Sequence, residues 1–130
     1  MVSGHSGAVL DAGALVAIDR RDRQVGSMLE LLRRRATPIR TSGGVVAQVW
    51  RDGSRQANLA RLLGGVDVVA LDATQGRRVG ELLGEARTRD VVDGHVALLA
   101  RSGDLVLTSD PDDLDALLRL RKIDAATVRV

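Results

Sequence analysis

Cysteine is absent from the 130-residue chain. That excludes disulfides and any thiolate zinc site, and it suits a cytoplasmic protein. Aromatic residues are nearly missing as well: Trp50 is the single one, expected against the core or an interface rather than as a base-stacking platform. No apolar run approaches the roughly 18 residues that a membrane span needs. The first residues show no basic segment followed by an apolar stretch, so no secretory leader is expected. Lysine and glutamate are scarce. Lys122 is the one lysine among 19 basic residues, and three of the 17 acidic residues are glutamate, leaving 14 aspartates.

What is present is a soluble, globular composition, 45% hydrophobic and 28% charged. Residues 1–130 make one domain of ordinary size, large enough to bury a core without staples. The formal net charge is only +2, but its basic part is almost all arginine, whose planar fork matches phosphate oxygens. Such a surface is compatible with nucleic acid, although a GC-rich genome produces the same bias. Aspartate, in turn, serves as a helix cap and as a short metal-binding arm.

No repeat, low-complexity tract or linker interrupts the chain. Apolar runs at Ala8–Leu10, 39–41, 66–71, Leu105–Thr108 and 127–130 read as strands. Between them lie helical patterns. Val25, Met28, Leu29 and Leu32 recur at i, i+3, i+4, i+7 over 22–35, and Val79, Leu82, Leu83 and Ala86 share a face over 73–86. Asp93, Val96, Ala97 and Ala100 mark another helix, and Leu114, Leu117 and Leu118 one more. Segments 44–50 and 55–63 complete the set, parted by Asp52-Gly53 and closed by Gly64-Gly65. Strands alternating with helices predict an α/β domain with a mainly parallel sheet of four or five strands and helices on both faces.

In such a sheet the residues just after the strands lie along one edge, where ligands bind. Asp11 follows the first strand. Asp110 follows 105–108, with Asp112 and Asp113 behind it, and Asp90 and Asp93 open the helix that leads into that same strand. Each of these aspartates can be a plain cap, and Ser109-Asp110-Pro111 is a good helix start. Caps account for the local positions but not for the shared edge. Carboxylates crowded there repel and raise one another's pKa, a conflict that a divalent cation removes. Oxygen donors with no cysteine and only two histidines favour magnesium or manganese. A hard cation there suits phosphodiester hydrolysis, since it acidifies water and offsets charge on the phosphate. Acidic-pocket phosphatases and receiver domains also place aspartates at strand ends; a receiver would want a lysine at a late strand end, and Lys122 lies beyond a helix.

The segments VLDAGALVAIDR (9–20), DVVDGHVALLA (90–100) and LVLTSDPDDLDAL (105–117) resemble, in order and spacing, the three motifs of the PIN-domain family. Within that family the chain is similar to the VapC toxins of bacterial toxin–antitoxin (VapBC) pairs. The resemblance covers essentially the whole chain. It implies a PIN-like three-layer α/β/α fold and a cytoplasmic endoribonuclease dependent on Mg2+ or Mn2+. It also implies a homodimer and a cognate VapB-like antitoxin that blocks the site. Asp11, Asp93 and Asp110 match the family's metal-binding carboxylates, Asp113 matches an auxiliary acidic position, Asp112 can substitute for it, and Asp90 can assist from one helical turn away. The departure is Gln48 in VVAQVWRDG, where the family usually has a glutamate. An amide oxygen can still orient water but brings no charge, so the alternative is a catalytically weakened PIN-like module that binds RNA or a partner protein.

Arg51, Arg55 and Arg61, on or near the Gln48 helix and its neighbour, are the candidate phosphate contacts. His95 lies two residues past Asp93, so a helix turns it away by roughly 200° and a packing or surface role is expected. Arg33-Arg34-Arg35 ends a helix, where positive charge complements the dipole. Gly13 and Gly94 each follow a candidate ligand within two residues and are expected to permit close packing there.

Overall fold

The computed structural model describes residues 4–130. Residues 1–3, on which the expected lack of a leader partly rests, lie outside the described residues. Five strands form one sheet: β1 (Ala8–Leu10), β2 (Ile39–Ser42), β3 (Asp67–Val69), β4 (Leu105–Thr108) and β5 (Ala126–Arg129). Their order is β3-β2-β1-β4-β5, and every pairing is parallel. The helices are α1 (Ala12–Asp19), α2 (Arg23–Arg34), α3 (Gly43–Val49), α4 (Ala57–Leu63), α5 (Ala73–Ala86), α6 (Val91–Leu99) and α7 (Pro111–Leu120). None of them is long and apolar enough to cross a membrane.

The strand order explains the layers. The chain steps from β1 to β2 to β3 in one direction, then returns past β1 to β4 and β5. Right-handed crossovers put helices made in opposite directions on opposite faces. Accordingly α1 packs with α2, α3 and α4, while α5, α6 and α7 pack with one another. Strands covered on both sides should be apolar throughout, and β1 and β4 are fully buried along their lengths. Leu10, Leu15, Leu32, Leu59, Leu105, Leu107 and Leu114 anchor the core between the layers. Burying a leucine contributes about 1.5–3 kcal/mol.

Most boundaries fall within a residue of the sequence reading, and two segments depart from it further. The segment expected as one helix over 55–63 is a 3-10 turn at Gly53–Arg55 followed by α4. The Asp52 carboxylate accepts from the Ser54 amide and hydroxyl, and the buried Gln56 amide takes the N–H groups of Arg51 and Asp52. These side chains satisfy backbone groups that a continuous helix would have used. The strand expected over 66–71 is only Asp67–Val69, because β3 is an edge strand whose apolar run is largely exposed: Val68 is 42% and Leu71 40% accessible.

At the other edge of the strands Arg40 and Asp104 form a buried ion pair that joins β2 to the α6–β4 connection. The Arg40 guanidinium also donates to Leu99 O, and Asp104 accepts from the Arg101 amide at 2.8 Å. This pair is structural and was not singled out in the sequence.

Candidate metal centre

The sheet reverses its order between β1 and β4, and residues after these two neighbouring strands flank one crevice at the sheet's carboxyl edge. Asp11 stands there, buried, as the N-cap of α1. Its Oδ1 accepts from the Ala12 amide at 2.8 Å, and its Oδ2 accepts from the Thr108 hydroxyl at 2.7 Å. The Thr108 oxygen in turn accepts from the Asp110 amide at 3.0 Å. One fully buried hydroxyl therefore ties the end of β1 to the turn that carries Asp110. The sequence motif contains Thr108, but nothing in its spacing marks it as the link; only the pairing of β1 with β4 does.

Asp110 occupies the N-cap position of α7, yet its side chain makes no cap hydrogen bond. The expectation of a capping aspartate in this turn holds for position but not for bonding, and its carboxylate is left exposed. Asp90 does cap: its Oδ1 accepts from the Asp93 amide at 2.9 Å at the start of α6. Asp93 is half-buried in the first turn of α6. Burial, and then the charges of Asp90, Asp11, Asp110 and Asp113 in that order, push its carboxyl up to about 7. Four aspartates from three distant segments thus act on one carboxylate. Asp112, exposed beside Asp113, is not among them.

Two glycines near the candidate ligands permit close packing. A Cβ on Gly13 would lie 3.0 Å from the Ser109 amide nitrogen and from its Cβ and Oγ. A Cβ on Gly94 would meet the Val79 and Leu83 side chains at 2.9 Å, so this glycine lets α6 settle on α5.

His95 is fully buried, as a packing residue. Its Nε2 faces Gln75 Oε1 at 3.2 Å, an acceptor, so Nε2 carries the proton and Nδ1 accepts from the Ser42 hydroxyl at 2.6 Å. Ser42 Oγ also accepts from the Gly44 amide, capping α3. Burial holds the imidazole below its usual pKa, with the Asp72 charge opposing.

The other candidates are held as follows. Gln48 is exposed on the last turn of α3 and makes no side-chain hydrogen bond among the described residues. Arg51 closes α3 by donating to Ala47 O and Trp50 O, and Arg55 lies 3.8 Å from Asp52. Arg61 lines a separate cleft of about 720 Å3, with Ile18, Leu29, Ile39 and Leu62, toward the start of β2. Trp50 is 36% exposed and its ring covers Gly53. A smaller hollow, about 150 Å3, is formed at the acidic turn by Ser109, Asp110, Pro111, Asp112, Asp113 and Arg129. The larger cleft is lined by apolar and charged side chains alike, Asp22, Glu30 and Arg33 among them, and by none of the aspartates that act on Asp93, so its size does not make it the centre of the chemistry.

Hard, mutually repelling oxygen donors fit a divalent cation of the magnesium type. Among the described residues no three acidic or histidine side chains already converge as a finished coordination shell. The carboxylates act on one another through a wider space, and Asp11 is the one whose two oxygens are both held in place by hydrogen bonds.

No protein-family model matches the sequence, and no curated protein matches it. Among solved structures the chain is similar to a chain of VapBC2 from Rickettsia felis, determined bound to a DNA fragment from their promoter. The TM-score is 0.64 at 17% identity, over 93% of this chain and 98% of that one. At that identity the likeness is one of fold. Over nearly its whole length, the chain has the PIN-like three-layer α/β/α fold that its three motifs predict, shared with a chain of the VapBC2 assembly.

Proposed function

We propose that the chain is a metal-dependent endoribonuclease, the toxin of a toxin–antitoxin pair, held inactive by a cognate antitoxin. The observation that carries this reading is that Asp11 and Asp110 stand at adjacent strand ends joined through the Thr108 hydroxyl, with Asp93 within reach of both charges. The fold likeness to VapBC2 supports an antitoxin partner. Asp11, Asp93 and Asp110 would hold Mg2+ or Mn2+, with Asp113 assisting. When bound, the cation supplies positive charge against the phosphate and acidifies water.

The chain's own residues set up the rest. Thr108 and the Ala12 amide fix the orientation of Asp11, and the missing cap bond leaves Asp110 free to turn toward a ligand. Gln48 can orient water through its amide but brings no negative charge. That feature favours the second reading, a weakened PIN-like module that binds RNA or a partner protein.

Cleavage of RNA with Mg2+ or Mn2+, comparing the native chain with Asp11→Asn, decides between them. We expect native cleavage and a loss of at least about 100-fold in the variant, the scale of removing a group that stabilises transition-state charge. Absence of cleavage by both proteins would favour the binding module.

A further inference from the structure

Arg129 ends β5, and its register partner is Thr108, the residue that links Asp11 to the Asp110 turn. It therefore stands on the same edge as the aspartates, and it is the one basic residue lining the hollow of Asp110, Asp112 and Asp113. Its Nη1 donates to Ser109 O at 3.0 Å. Among the described residues it makes no ion pair within 4 Å, despite the acidic surroundings. A guanidinium has five N–H donors in a rigid fork, so the bond to Ser109 leaves four N–H groups of this exposed side chain unengaged. Arg51, by contrast, spends donors on the carbonyls that end α3, and Arg61 lies in the other cleft.

An acidic rim repels a polyanion, and a substrate phosphate brought there needs a fixed positive charge beside it. We infer that Arg129 is an RNA-binding residue that grips a backbone phosphate at the rim of the acidic hollow. This inference rests on the nucleic-acid part of the reading above, but not on cleavage.

The test is equilibrium binding of a short single-stranded oligonucleotide with uncleavable 2′-O-methyl riboses, followed by fluorescence anisotropy across a salt series. Native chain, Arg129→Gln and Arg34→Gln are compared, each with its thermal midpoint. Arg34, exposed on α2, controls for net charge. The expected result is a roughly tenfold weaker Kd for R129Q, a salt slope shallower by about 0.7 for the one lost contact to a single strand, an unchanged melting midpoint, and near-native binding by R34Q. Equal binding by native and R129Q would overturn the inference. So would equal weakening by R129Q and R34Q, or no binding by the native chain. Arg129-dependent binding without cleavage of ordinary RNA would refute the nuclease reading and leave this contact standing.

Discussion

At Asp93, burial and four neighbouring carboxylates push the carboxyl up to about 7, so this residue binds a proton in the folded chain that it has lost in the unfolded one between about pH 4 and 7. The sign follows: Asp93's contribution to folding is most favourable at low pH and declines as pH rises through 7. Asp93→Asn removes that decline. In metal-free protein the variant should be more stable than native at pH 8, by about 1–2 kcal/mol once solvent screening at a half-buried group is allowed for. The gap should close toward pH 4. Thermal melts at the two pH values check it; a variant less stable than native at pH 8 would mean that the neighbouring charges do not strain Asp93. His95 contributes in the opposite sense, since its depressed pKa makes stability fall as pH drops below about 6.5. Both proteins share that term, so the difference between them isolates Asp93. The acidic candidates were legible because motif order names them. Which aspartate caps was not: Asp90 and Asp110 both precede a helix, and only the fold shows that Asp90 bonds an amide while Asp110 bonds none. Arg129 was overlooked because its partner turn is remote in sequence and near only through β4–β5 pairing.

Elements with a repeating apolar face were read to within a residue or two. The helix over 73–86 is α5 as expected, and the one over 22–35 is α2 with Asp22 and Arg35 as its caps. The errors fall where side chains compete with the backbone, at Asp52 and Gln56, or where an edge strand lacks a covering layer, at β3. The junction of α1 with the β4–α7 turn depends on Gly13, because the nearest neighbours of an added Cβ include the Ser109 backbone, which cannot rotate aside. Gly13→Ala should cost about 1–3 kcal/mol, the usual range for overpacking, and should weaken Mn2+ binding by parting Asp11 from Asp110. Urea midpoints and a Mn2+ titration read the two effects. Stability equal to native would show that the turn yields freely.

For the whole molecule, alternation of strands and helices predicts a parallel α/β domain, and five parallel strands are found. The order β3-β2-β1-β4-β5 has no local signature, since it is decided by which crossover reverses direction. That reversal brings Asp11 and Asp110 onto adjacent strand ends, and it returns α6 so that Asp93 opens at the same edge. We propose that these three distant segments meet around a hard cation. Mn2+ binding by titration calorimetry tests it most directly, using the native chain, Asp11→Asn, Asp93→Asn, Asp110→Asn and, as a control on the exposed β3 edge, Asp67→Asn. The predicted result is Mn2+ binding by the native chain and by D67N, weakened at least about tenfold, or 1.4 kcal/mol, in each of the other three. Native binding that all three substitutions leave intact, or no native binding at all, would contradict it.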